Sequence, residues 1–279
     1  MAGRNTTIAE IELRLLVEAV YLRWGQDFRD YSVASLRRRV EHAREQMGMP
    51  TISALQERVL HDPDAFSQLL QHLTVPVSEM FRDPPYFEAL RRHVVPVLRT
   101  YPSVKIWVAG CSTGEEAYSL AILLREEGLL ERAILYATDI NHASLDRARQ
   151  GVYALDRMQG FTQNYQRAGG LESFSRYYTA GYGGALMDKS LRDSITFADH
   201  SLATDSVFAE THLVSCRNVL IYFNRTLQDR ALGLFHESLI HRGFLGLGSK
   251  ETLDFSAYAG RFDTVARSER VFRKRKEAV

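Results

Sequence analysis

The sequence predicts an α/β protein: a mostly parallel, nucleotide-binding type of sheet, preceded by a small all-α unit and carrying a short β insertion. Three observations predict it. Residues 1 to about 75 space their apolar side chains only at the helical period. Beyond Pro102, β-rich runs alternate with helical ones, and the first β run ends in a glycine turn. Between Gly151 and Ser194 neither period holds and glycines cluster. The expected division is a helical domain over 1–75, a linker over 76–90 that contributes to the ligand site, and an α/β domain over 91–279 with its insertion at about 151–195.

Composition limits the function classes. Of 279 residues 45% are hydrophobic, with 14 Phe and 13 Tyr, enough to bury a large core and to exclude wholesale disorder. The 35 basic and 34 acidic residues leave a net charge of +1, which argues against a whole-protein attraction to nucleic acid. No run approaches the ~20 apolar residues of a membrane span, and the opening MAGRNTTIAEIELRLL lacks the apolar block of a secretory signal. A cytoplasmic protein with no membrane insertion is expected. Cys111 and Cys216 stand in apolar contexts that suit buried reduced thiols, and the nine histidines show no ligand spacing, so no metal is expected.

In the helical unit, apolar positions from Ile8 to about Trp24, Ser32 to Met47, Ser53 to Leu60 and Pro63 to Leu73 predict four helices, with Ser32 and Ser53 as N-caps. This unit counts nine Arg, no Lys and ten Asp or Glu, so it is near neutral as a whole. Its anomaly is Leu36 to Arg44, where Arg37, Arg38, Arg39 and Arg44 face only Glu41. Such a run is ordinarily a solvated helix face. It is also the place where a partner with an acidic surface would dock. The linker, Thr74 to Phe87, carries three prolines; Asp83 before Pro84 and Pro85 reads as the N-cap of a helix running to about Arg99. Ser78 and Arg82 are polar in an apolar stretch and one helical turn apart, which makes them site candidates.

The α/β body opens with the strand Val104 to Ala109, the turn Gly110-Cys-Ser-Thr-Gly114 and a helix from Glu115 to Arg125. Gly110 allows the tight turn, and Gly114 is expected to let backbone approach a ligand at the helix start. The spacing is neither the dinucleotide fingerprint nor a P-loop. Glu115 and Glu116 in the first helical turn would repel a pyrophosphate. Asp139, at the end of the strand Ala133 to Thr138, is placed to accept both ribose hydroxyls, with the N-cap of the next helix as its competing role. An adenosine without phosphate, carrying an ammonium for a first-turn Glu, describes S-adenosylmethionine. Farther on, His212 to Cys216 reads as a strand leading into Arg217 and Asn218, with Tyr222 close behind and a helix from Arg225 to about His241. The tail, with Gly243 to Gly248, Phe262 to Ala266 and Val271 to Arg275, reads as a strand and a closing antiparallel pair. In the insertion, Gly181-Tyr-Gly-Gly184 suggests a small hairpin.

These residues together resemble the chemotaxis receptor glutamate O-methyltransferases, the CheR family. The likeness rests on the helical unit, the linker ending in Phe81-Arg82, Ala-Gly-Cys-Ser-Thr-Gly-Glu-Glu-Ala-Tyr-Ser over 109–119, Ala-Thr-Asp-Ile over 137–140, and Ser-Cys-Arg-Asn-Val-Leu-Ile-Tyr-Phe over 215–223. The resemblance implies a Rossmann-like S-adenosylmethionine-dependent methyltransferase domain and formation of γ-glutamyl methyl esters on chemoreceptor helices. It implies that Ser78 and Arg82 touch the cofactor's methionine end, that Glu116 or Glu115 meets its ammonium, and that Asp139 binds ribose. It sets Ser201 and Leu202 by the adenine, Arg217 and Asn218 by the sulfonium and methionine part, and Tyr222 near the transfer point; family members commonly have Asn or Asp where Ser201 stands. Relatives carry the β insertion, which in some pairs with a receptor's C-terminal pentapeptide; the short Gly181 to Gly184 loop points to a pentapeptide-independent enzyme docking through Arg37, Arg38 and Arg39. Attack by an ionised carboxylate needs no general base, so Arg82 and Tyr222 are expected to act by positioning. Two rivals differ in class. Asp83-Pro-Pro-Tyr86 copies a box of adenine-amino DNA methyltransferases, which need an electropositive channel that a near-neutral chain does not offer. The other is a scaffold that binds cofactor without turnover.

Overall fold

The computed structural model describes residues 6–74, 78–181 and 183–276. The first linker positions, 76 and 77, and Tyr182 of the insertion loop lie outside the described residues.

Four helices form the N-terminal layer: α1 (Ile8–Trp24), α2 (Val33–Gln46), α3 (Ile52–His61) and α4 (Pro63–Leu73). A capping box starts α1, with Thr7 and Glu10 satisfying each other's backbone amides, and Gly25 ends it at φ +73°. Leu13, Leu16, Val17 and Val20 then share one buried face with Leu36, Val40, Leu55 and Leu69. Ser32 stands at the N-cap of α2 without a side-chain cap bond. Ser53 is not a cap: Thr51 accepts from Ala54 N at 3.0 Å, and the Ser53 hydroxyl donates to Glu12 at 2.6 Å, tying α3 to α1.

The chain then runs through α5 (Pro84–Ala89), a π-helical turn (Leu90–Val94) and α6 (Val95–Leu98) into β1 (Val104–Ala109), α7 (Glu115–Glu126), β2 (Ala133–Asp139) and α8 (His142–Gln150). The insertion holds β3 (Val152–Tyr153), α9 (Met158–Arg167), β4 (Tyr178–Gly181), β5 (Gly184–Met187) and α10 (Lys189–Asp193). The body closes with β6 (Ile195–Asp199), β7 (Thr211–Cys216), α11 (Arg225–Ser238), β8 (Leu239–Leu247), β9 (Phe262–Ala266) and β10 (Val271–Lys274). The main sheet has the order β6-β2-β1-β7-β8-β10-β9. It is parallel from β6 to β8, and β10 is antiparallel to both its neighbours. This is the Rossmann-like sheet with the expected closing pair. Apolar side chains cover both its faces.

Three elements depart from the sequence expectation. α11 stops at Ser238, because Leu239 already pairs in the β7–β8 ladder. Asp83 sits at the N-cap of α5 in the left-handed region at φ +56° with no cap bond; its carboxylate instead meets Arg217. The insertion contains a helix, α9, whose buried face of Met158, Phe161 and Tyr165 was hidden by the polar and glycine residues between them. The hairpin is present, with β3, β5 and β4 in one antiparallel sheet.

The segment from Asp30 to Ser32 is one place where the helical layer is fastened to the body. Tyr31 bridges Phe223, and Ser32 N donates to Tyr222 O at 2.8 Å. Asn224 N and Nδ2 both donate to Asp30, at 2.9 Å, while Asn224 Oδ1 caps α11 through Leu227 N. One side chain therefore serves cap and seam. Replacing Asn224 by Ala should lower stability in urea by about 1–2 kcal/mol, the size of a lost cap. Amide exchange should then speed up in α1–α4 more than in the sheet; uniform protection would show that the seam does not depend on it.

Candidate active site

An open cavity lies at the carboxyl ends of β1, β2 and β7. At β1 the chain order of the sheet reverses, the position where open α/β sheets collect ligands. The floor is the glycine turn. Gly110 takes φ +73°, and a Cβ there would lie 2.4 Å from Val219 Cγ2, so only glycine lets the turn and the 217–223 segment meet. Gly114 does something else: it faces Ala148 at 2.9 Å from a hypothetical Cβ, packing α7 on α8, and it does not line the cavity.

Asp139 ends β2 on the cavity wall. Its Oδ2 accepts from Ser112 N at 2.8 Å and its Oδ1 from Asn141 N at 2.9 Å. Burial pushes its carboxyl above the usual range, against the pull of these amides. The cap of α8 is Asn141, whose Oδ1 accepts from Ser144 N at 3.1 Å; this frees Asp139 for the cavity. Asn141 Nδ2 also donates to Thr74 at 2.6 Å, joining α4 to the same wall.

The two first-turn acids of α7 diverge. Glu116 faces the cavity, accepting from Ser215 at 2.6 Å and from Arg217 at 3.0 Å. Glu115 is fully buried on the other side, bound by Thr113 at 2.7 Å and Arg157 at 2.9 Å, and does not line the cavity. Arg157 also bonds the Ser78 carbonyl. Arg217, with 1% of its side chain exposed, donates to Arg82 O, Asp83 and Glu116 and lies 4.2 Å over the Tyr86 ring. Burial works against its charge, and Glu116 and Asp83 more than restore it.

Of the three arginines of the supposed basic ridge, Arg37 and Arg38 are exposed and Arg39 is not. Arg39 turns inward, bonds the Leu73 carbonyl, and lies 4.1 Å over the Tyr222 ring inside the cavity. Three helical positions in a row cannot share one face, and Arg39 follows the buried Leu36 by one turn.

The polar inventory fits a sulfonium nucleoside. Each oxygen of Asp139 keeps a lone pair for a vicinal diol, and the buried Ser112 Oγ on the cavity wall lacks a partner among the described residues. Ile140, Leu202 and Val219 offer apolar walls for a base. Against this geometry stand the comparisons with known proteins. A family model described as the CheR methyltransferase SAM-binding domain matches residues 76–270, and one described as the CheR methyltransferase all-alpha domain matches 11–74.

This chain belongs to the CheR methyltransferase family.

Its cofactor is S-adenosylmethionine. The chain is similar to a Pseudomonas putida protein named Cher3, 68% identical over 97% of this chain and 98% of that one. It is also similar to a chemotaxis protein methyltransferase of Listeria monocytogenes, 29% identical over 82% and 85% of the two chains. A 104.1 kDa Rhodobacter capsulatus protein is 31% identical over 88% of this chain, which spans 26% of that protein's length.

Within this CheR domain the cavity gathers Ser78, Arg82, Gly110, Glu116, Asp139, Ser201, Leu202, Arg217, Asn218 and Tyr222, and leaves out Glu115, Arg37 and Arg38. Ser78 and Arg82 meet there from an irregular segment, not from a helical turn. The Asp83–Tyr86 box is turned inward: Tyr86 is buried and bonds Ser215 at 2.7 Å, so it offers no clamp for a flipped base. Among the described residues there is no cluster of three metal-ligating side chains and no helix long and apolar enough to cross a membrane. Both cysteines are buried and free, and burial pushes both thiols up.

Sequence reasoning missed Tyr31, Thr74, Ser112, His200 and above all Glu251. Glu251, 4% exposed, accepts from four backbone amides: Gly248 at 2.6 Å, Asn218 at 3.0 Å, Val219 at 2.8 Å and Ile221 at 3.3 Å. It thereby holds Asn218 in the left-handed region at φ +61°. Nothing local marked it, since the loop from Gly248 to Ser256 also holds Lys250 and Asp254. Glu251→Gln turns an amide NH2 toward some of these donors and should cost about 2–3 kcal/mol in urea unfolding; an unchanged midpoint would show that the carboxylate is dispensable to this loop.

Proposed function

We propose that this chain methylates glutamate side chains on the cytoplasmic helices of chemoreceptors, forming γ-glutamyl methyl esters in the cytoplasm. The observation that carries the reading is Arg39. It is a buried cation in the cavity with no carboxylate partner among the described residues, and burial holds it below its ordinary value. An incoming carboxylate would complete it.

When bound, S-adenosylmethionine supplies an electrophilic methyl group on a sulfonium. In this reading Asp139 takes the ribose hydroxyls, Ser201 and Leu202 flank the adenine, Glu116 meets the ammonium, and Ser78, Arg82, Arg217 and Asn218 surround the methionine part. Arg39 and Tyr222 hold the substrate carboxylate in line, and Leu73 and Phe223 keep water from it. A glutamate is ionised at neutral pH, so no side chain has to remove a proton. Arg39 must hold that carboxylate loosely, since a ground state bound as well as the transition state gives no gain in turnover. Arg37 and Arg38, both exposed one turn from the cavity, suit docking on acidic receptor helices. The β4–β5 hairpin, with Gly181 opposite Gly184, is tight and supports independence from a receptor pentapeptide.

Methyl transfer from radiolabelled cofactor to receptor cytoplasmic fragments tests the reading. The label should leave as methanol in alkali; an alkali-stable product or none contradicts it. Arg39→Ala should reduce methylation roughly 10- to 100-fold while leaving S-adenosylhomocysteine affinity near wild type, the loss of one charged hydrogen bond to substrate. Equal rates would remove Arg39 from substrate binding.

A pH dependence follows from Asp139. Its carboxyl titrates above the usual carboxylate range, and only the ionised form accepts both ribose hydroxyls. Cofactor affinity should therefore fall on acidification already above pH ~4, where an ordinary aspartate is still charged. Asp139→Asn should bind weakly at every pH and show no such fall; a wild-type profile that is flat down to that pH would contradict the role.

A further inference from the structure

The outer face of α1 is apolar and plays no part in the site. Ile8, Ile11, Leu15 and Leu22 are 78%, 48%, 54% and 75% exposed. The core face of the same helix, with Leu13, Leu16, Val17 and Val20, lies on the opposite side, so α1 is apolar on two faces. None of the four exposed residues lines the cavity. Scattered apolar surface residues need no explanation, but these four are aligned along one stripe of about 21 Å on one face of α1.

The spacing says what covers it. Ile8, Leu15 and Leu22 repeat every seven residues, the period that keeps a seam facing a second helix. The stripe is also symmetric about Leu15: Ile8 and Leu22 stand seven residues to either side, Ile11 and Ala19 four to either side. We propose that a second copy of this chain docks here, its α1 antiparallel to the first with the two-fold axis at Leu15. Leu15 then meets Leu15 of the second copy, Ile8 meets Leu22, and Ile11 meets the small Ala19. Charge agrees with this register. Arg14 and Glu18 border the same edge of the stripe, and the two-fold brings Glu18 of one copy within a turn of Arg14 of the other. Glu18 is exposed and, among the described residues, pairs with Arg29 at 3.5 Å. A face of four exposed side chains is small, the class of weak, reversible association.

Sedimentation velocity of the full chain across the micromolar range, joined to cysteine crosslinking, tests the proposal. Expected is a concentration-dependent rise toward twice the monomer mass, abolished by Leu15→Arg with a melting temperature near that of the parent, since Leu15 lies outside the buried core of the helical layer. Mixing Ile8→Cys with Leu22→Cys chains should give a mixed disulfide, and Leu15→Cys a disulfide with itself. The two native cysteines are buried and do not compete. A chain that stays monomeric throughout the range, a dimer that Leu15→Arg leaves intact, or crosslinks of Ile8→Cys only to itself, as parallel helices would give, each overturns it. Should Leu15→Arg fail to fold, the crosslinking pattern alone decides.

Discussion

The site depends on one buried cation. Arg217 leaves water at the end of β7, and such a charge is tolerated only where its donors are matched by acceptors. Its two terminal nitrogens are matched from two places in the chain, by the Arg82 carbonyl and Asp83 carboxylate of the linker and by Glu116 of α7, with the Tyr86 ring beneath, while its Nε has no partner among the described residues. A planar guanidinium can satisfy this set because its fork is rigid. The linker thus has to cross the cavity where it does, and Asp83 gives up its capping role and takes a left-handed backbone for it.

From that point the rest of the cavity is held by backbone-directed carboxylates. Glu251 gathers the amides of 218, 219 and 221, Val219 presses into the space that Gly110 leaves, and Asp139 fixes the turn through Ser112. The helical layer closes the remaining side with Tyr31, Arg39, Leu73 and Thr74. A site built of parts from both layers is complete only when they are docked, and this gives the Asp30–Asn224 seam its importance.

Much of this was legible before any coordinates. The strand, glycine turn and helix of 104–125 and the acid at 139 are local patterns, and local patterns survive folding. What escaped the sequence was direction. Glu115 and Glu116 differ by one position, which on a helix is a rotation of about 100°, enough to send one to Arg157 and the other to the cavity. The same rotation separates Arg39 from Arg37 and Arg38. Glu251 could not be read because three of its four partner amides, those of Asn218, Val219 and Ile221, lie 30 to 33 residues away and are set by the return of β8. α9 was obscured because its buried face is only three residues, Met158, Phe161 and Tyr165, set among polar residues and Gly160.

The account's central claim is that the Arg217 fork, rather than its charge alone, shapes the cofactor cavity. Calorimetric titration of S-adenosylhomocysteine into Arg217→Lys tests it most directly, since lysine keeps the charge and loses the fork. The account predicts a folded protein whose affinity falls about tenfold or more, the worth of a bidentate charged contact; a variant that binds with wild-type affinity would contradict it.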